Sequence, residues 1–249
     1  LLGLVLECGK WNLRVMEMLD QGHVQRYGAP APAQVREGTS AGPGILITGH
    51  DMVDLENLLK QCEGTDVKVY THGELLPAHM YPKLREHPNL AGHYGGAWQK
   101  QRREWEEFSG PIVATTNCVL IPKESYADRL YTTRCTAVPG ATVISDDDFS
   151  AVIAKAKACP PLPEALDKTS TIGFHHDVIL GLAGTIVEAV KAGKISHFFL
   201  IGGCDGAEAG RNYFSDYAQA APPDSFILTL GCGKFRIRDH DYGELLGLQ

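Results

Sequence analysis

The chain has 249 residues, 44% hydrophobic and 21% charged, enough for one large domain or two ordinary ones with buried cores. That apolar content excludes disorder, and a net charge of −7 withholds the basic surface that general nucleic-acid binding needs. No apolar run is long enough for a membrane-spanning helix and no secretory signal is present, so a cytoplasmic protein is expected, without membrane or nucleic-acid partners. The seven cysteines, at 8, 62, 118, 135, 159, 204 and 232, are odd in number and widely spread. They read as reduced thiols, packed as small hydrophobes or available to a soft metal.

In chain order, Leu2, Val5, Leu6, Leu13, Met16 and Leu19 recur at helical spacing and predict a helix and its exit over 1–27. That helix opens without a start signal, and GELLGLQ at 243–249 supplies no closing element, so both ends read as cuts within a longer polypeptide. Residues 28–43, rich in Pro, Gly and Ala, read as a linker. Strands are expected at GILITG (44–49), VKVY (67–70), IVAT (112–115) and TVIS (142–145). Helical patterns lie between them at 53–61, 76–86 and 95–108, and residues 148–158 form a helix capped by Asp147 or Asp148. CPPLPEALDK (159–168) reads as a second linker. The pattern then restarts with a helix over 176–192, a strand at 197–201, a helix over 207–220 and a strand at 225–230. The expected fold is therefore α/β, with two Rossmann-like parallel-sheet units preceded by the end of a helical domain. The boundaries are 1–35 for the helical end, 36–165 for the first unit and 166–249 for a second, truncated one.

In open α/β sheets, ligands bind beyond the carboxyl ends of the strands. Those ends deliver Gly49-His50-Asp51, then Thr71-His72-Gly73-Glu74, then Thr115-Thr116-Asn117-Cys118. In the second unit they deliver Gly202-Gly203-Cys204-Asp205-Gly206 and Gly231-Cys232-Gly233-Lys234. Three of seven cysteines thus follow separate strands, beside imidazole and carboxylate. Thiolates hold iron–sulfur clusters, whereas imidazole and carboxylate are harder donors, so the mixture points to a cluster whose irons are not all held by sulfur. Asp51 or Asn117 would orient such ligands by hydrogen bonding. Each residue also has a plainer reading. His50 and Glu74 suit a helix N-terminus, and Cys204 and Cys232 suit tight turns. The glycines at 202–210 suit a phosphate, which leaves open a non-redox module binding a nucleotide or small anion. Cys8 and Cys62 read as packing on helical faces, and Cys135 and Cys159 as structural loop residues. No C-x-x-C or G-x-S-x-G spacing occurs, which disfavours zinc ribbons and serine hydrolases.

Four long segments carry a resemblance. They begin at ILITGHDMVDLENLLKQCEGTDVKVYTHGELLPAHMYP, GPIVATTNCVLIPKESYADRLYTT, LIGGCDGAEAGRNYFSDYA and ILTLGCGKFR. In order and nearly throughout, the chain resembles the hybrid-cluster proteins, also called prismane proteins or hydroxylamine reductases. Carbon monoxide dehydrogenases, more distant relatives, are a poorer match in the GHD and THGE segments. The resemblance implies an oxidoreductase that reduces hydroxylamine to ammonia, or reduces nitric oxide, or does both. It implies a hybrid iron–sulfur–oxygen cluster of the 4Fe-2O-2S type held by His50, Glu74, Cys118, Cys204 and Cys232, with Cys204 the persulfide position. A further ligand cysteine and a Glu-x-Lys pair would follow Gln249. A second, 4Fe-4S-type cluster would belong to a part before Leu1 and would pass electrons from a redox donor protein. On chemical grounds alone, His72 is the candidate proton donor. The segment by itself is expected to be inactive, and Cys135 has no matching role.

Overall fold

A computed structural model describes residues 1–203, 205–206 and 208–243. Eight strands form the main sheet: β1 (Ala33–Thr39), β2 (Gly44–Thr48), β3 (Lys68–His72), β4 (Leu90–His93), β5 (Ile112–Ala114), β6 (Leu130–Thr133), β7 (Thr142–Ile144) and β8 (Ala165–Ile172). Their order is β7-β6-β5-β2-β3-β4-β1-β8, and every pair is parallel except β1 with β8. Two further strands, β9 (His197–Ile201) and β10 (Ser225–Thr229), pair in parallel as a separate sheet. The α/β class with parallel sheets is thus as expected.

Period-two alternation along the central strands sorts the core into two layers. β2 is buried along its whole length. Ile45 and Ile47 of β2, Val69 of β3 and Val113 of β5 face one side, where they meet Leu55, Leu58, Leu59 and Cys62. Those four residues form one stripe of the helix α2 (Met52–Cys62). Leu46, Tyr70, Ile112 and Ala114 face the other side and pack on Trp105, Phe108 and Tyr126. α2 starts where Asp51 accepts hydrogen bonds from the Val53 and Asp54 amides at 2.8 and 3.0 Å. The carboxylate of Asp51 is therefore a helix cap through Oδ1.

Several elements differ from the sequence reading. The first linker contains β1, whose inward positions Ala33, Val35, Glu37 and Thr39 are half polar and so hide the alternation. The second linker runs into β8, an edge strand with a largely exposed face, and β8 joins the sheet of the first unit by pairing with β1. β4 and β6, four residues each, are too short to give a periodic signal. The single helix expected over 176–192 is two, His176–Gly181 and Ala183–Lys191, separated at Leu182 between Gly181 and Gly184. Residues 73–80 form a 3-10 helix around Pro77, not an α-helix. The helix at 150–158 is served by Asp148, which accepts from the Ser150 amide at 2.9 Å. The N-terminal helix α1 (Leu2–Tyr27) is as expected in extent, but Cys8 on it is exposed rather than packed. Only its final turns dock, where Tyr27 meets Tyr81 edge-on at 5.9 Å.

Buried Arg129 ties down the helix Gln101–Glu107. Its guanidinium donates to the carbonyls of Trp105 at 2.7 Å, Glu106 at 3.3 Å, Phe108, and Gly110 at 2.7 Å. Carbonyls at a helix C-terminus lack intrahelical donors and favour a cation there. Arg129→Met is expected to lower unfolding free energy by about 2–4 kcal/mol, read in a denaturant titration, because it strands buried acceptors. Arg129→Lys should recover only part, since one ammonium cannot span the four carbonyls.

Candidate metal centre

The strand order reverses between β2 and β5: from β2 the sheet grows through β3 and β4 on one side, then resumes with β5 on the other. Loops leaving two such strands diverge and open a crevice at their carboxyl ends. Thr48 pairs in register with both His72 and Ala114. His50 and Glu74 therefore each stand two residues beyond one paired position, and Cys118 stands four residues beyond Ala114.

Each loop is held by specific contacts. Gly49 has φ +114°, and a β-carbon there would strike the hydroxyls of Thr115 and Thr116. Only glycine lets the β2 loop lie this close to the β5 loop. His50 consequently meets Thr116, with Nδ1 2.8 Å from Oγ1. Cys118 has φ +69°, a left-handed conformation costly for a residue with a side chain. Fully buried Gln101 stabilises it: its amide nitrogen donates to the Cys118 carbonyl and its oxygen accepts from the Leu120 amide, both at 2.9 Å.

The second sheet contributes from above. Cys232 lies three residues past Thr229, which pairs with Ile201. Lys234 Nζ donates to Glu74 Oε1 at 2.8 Å and to the Gly231 carbonyl at 2.9 Å, so it joins the Glu74 and Cys232 loops. Burial lowers the Lys234 pKa, and the adjacent Glu74 carboxylate opposes that shift. Gly233 packs so tightly on the Gly203 carbonyl that a side chain there would collide with it. Cys204 lies outside the described residues. Its neighbour Asp205 accepts from the Phe214 amide at 3.0 Å and the Ser215 amide at 3.2 Å; burial raises its pKa, but these bonds leave it lowered overall.

Four of the five expected donors thus stand on loops at neighbouring strand ends, linked as His50 with the Cys118 loop and Glu74 with the Cys232 loop. His50 is exposed, and Glu74, Cys118 and Cys232 are partly so. Among the described residues they do not converge at the spacing of a single ion. A multi-iron cluster takes its ligands around a wider perimeter, and the mixed N, O and S set suits one.

Behind the rim lie buried polar groups. His72 is fully buried between Thr48, 3.0 Å from its Nδ1, and Glu104, 3.0 Å from its Nε2. Glu104 also accepts from the Gly96 amide at 3.2 Å. Thr71 Oγ1 lies 2.9 Å from both His79 Nε2 and His93 Nδ1. Sequence reasoning missed His93 because it missed β4, and it read Glu104 and Gln101 as parts of an ordinary helix. The one signal for His93 was GHYGG, another histidine–glycine segment.

A profile of the Prismane/CO dehydrogenase family matches residues 1–247. The chain belongs to that family. It is 57% identical to a hydroxylamine reductase of Moorella thermoacetica over 98% of its own length and 57% of the relative's. It is 50% identical to a hydroxylamine reductase of Geobacter sulfurreducens, over 99% of this chain and 45% of that one. For that of Rhodospirillum rubrum the figures are 51%, 100% and 45%. This prismane-family chain spans about half the length of the curated relatives it matches. Among its described residues no helix is long and apolar enough to cross a membrane.

Burial pushes His79 down to about 4 from an ordinary 6.5, against the pull of the Gly92 carbonyl, and pushes His93 well below 6.5. Both are neutral in the folded protein, whereas the unfolded chain takes up their protons as pH falls through 6.5. Stability from neutral His79 is whole above pH 6.5 and is lost on acidification toward pH 4, about 3 kcal/mol in all. In unfolding titrations across this range, His79→Asn should be less stable at neutral pH, with the gap to the unaltered protein narrowing as pH falls. A gap independent of pH would refute the assignment.

Proposed function

We propose that the whole protein is a hybrid-cluster oxidoreductase that reduces hydroxylamine to ammonia and water, or reduces nitric oxide, or does both. The observation that carries this reading is the meeting of soft and hard donors on one open rim, at the reversal of strand order. His50, Glu74, Cys118, Cys204 and Cys232 would hold the iron–sulfur–oxygen cluster. When bound, that cluster supplies electrons and an open iron position for a small substrate. A redox donor protein would deliver the electrons.

The chain's own residues do the rest. Reducing hydroxylamine takes up two electrons and two protons, cleaves the N–O bond and yields ammonia and water. Protons must therefore reach the rim. His72 suits transfer through its ring better than donation from an open face, because Thr48 and Glu104 engage both its nitrogens. Glu104 receives the Nε2 proton, and Thr48 connects the ring to the end of β2. Lys234 pairs with Glu74 at 2.8 Å and so positions that carboxylate. Gln101 holds Cys118 in its strained backbone state, so the thiol is placed before any metal arrives.

The test is the double variant Cys118→Ala/Cys232→Ala of the whole protein, purified without oxygen. Iron should fall to what the other cluster accounts for, the hybrid-cluster electron spin resonance signal should vanish, and hydroxylamine-dependent ammonia formation should stop. Circular dichroism of the unaltered protein should be retained. Undiminished iron and signal would sink the ligand assignment. An unaltered protein that is colourless and iron-free, yet binds a nucleotide, would favour the anion-binding module instead.

A further inference from the structure

Two adjacent histidines follow β8, far from the rim just described. β8 ends with Ile172 paired to Ala33, shortly after α1 ends, so the turn beyond β8 returns to the side of α1. The His175 amide donates to the Gly173 carbonyl at 2.8 Å, and His175 then caps the helix His176–Gly181. From α1, Asp20 Oδ1 lies 3.1 Å from His175 Nε2. The rings of His175 and His176 are 3.8 Å apart between centroids. One donor atom each from Asp20, His175 and His176 lies within 4.8 Å of the others.

The decisive feature is the close approach of a carboxylate to a nearly buried imidazole that has a second imidazole against it. The His175 side chain is only 10% exposed, and its Nδ1 has no hydrogen-bond partner, with Asp177 Oδ2 3.9 Å away. In the absence of an ion, Asp20 accepts the Nε2 proton. An ion bound between Asp20 and Nε2 would replace that proton, which the ring would then carry at Nδ1, beside Asp177. The His176 ring, 59% exposed, completes the donor set, and Asp177 lies 3.3 Å from its Nε2.

We propose that Asp20, His175 and His176 form a site for a divalent first-row transition ion of the zinc class. Two imidazoles and a carboxylate favour such an ion over magnesium or calcium, which prefer all-oxygen sets. Three protein donors leave a coordination position for water. The ion would brace α1 against the turn after β8, joining residues 155 positions apart in sequence.

The probe is zinc, titrated into the intact, iron-loaded protein in competition with a chromophoric chelator, with iron assayed in the same samples. The unaltered protein should take up one zinc beyond its iron complement and gain thermal stability from it. His176→Ala should weaken zinc binding by about tenfold or more. Asp20→Asn/His176→Ala should abolish both the uptake and the stabilisation. Iron content should be the same in all, which separates this site from the cluster at the rim. Failure of the unaltered protein to bind zinc, or equal uptake by the double variant, would overturn the proposal. His176 is exposed, so its removal tests binding without threatening the fold.

Discussion

The short helix Lys234–Ile237 and the arginine that follows it lock the two sheets together, and the position of the rim depends on that lock. Phe235 stacks on His93 at 5.6 Å and is covered on its other contacts by Val35, Leu76 and Ala97. Arg238 grips Glu37 of β1 with two hydrogen bonds, at 2.8 and 2.7 Å, and both side chains are largely buried. Lys234 reaches Glu74 from the same turn. A buried ion pair stabilises little by itself, because desolvation offsets the attraction, but breaking one partner strands the other's charge. The pairing therefore acts mainly to fix register: only one docking of the second sheet satisfies Glu37 and Glu74 together. That docking sets the Cys232 loop beside the Glu74 turn at the end of β3.

The polar groups beneath the rim are arranged for rigidity. Thr71 has a single hydroxyl proton and faces two ring nitrogens. With the other nitrogen of His79 bonded to the Gly92 carbonyl, Thr71 donates to His79 and accepts from His93. The tautomers are thereby set without any charge being buried. His72 is held between the Thr48 hydroxyl and the buried Glu104 side chain. These bonds fix the ring orientations, with His93 Nε2 left without a hydrogen-bond partner. The rim stays partly exposed while the polar groups beneath it are buried.

How much was legible in the sequence depends on burial. β2, β3 and β5 are covered on both faces, so GILITG, VKVY and IVAT stand out as apolar runs. β1 carries Glu37 on its inward face, and no local pattern indicates that Arg238, 201 residues later, neutralises it. β8 lies at an edge and reads as polar loop for the same reason that edge strands resist aggregation. At the rim, His50, Glu74, Cys118 and Cys232 could be picked out because each follows a strand and bears a metal-binding atom. Gln101, Glu104 and His93 could not, since their importance lies in what they touch.

The sequence by itself determined the class of fold, the residues placed at the strand ends and the family. Those properties follow from hydropathy period, turn chemistry and motif, which are local. The tertiary structure alone decided which loops share a crevice, which carboxylate meets which cation, and that Asp20 and His175 come together from 155 residues apart. These are long-range pairings. They form only when the folded chain brings the two groups together, and nothing near either group in the chain records the other's approach.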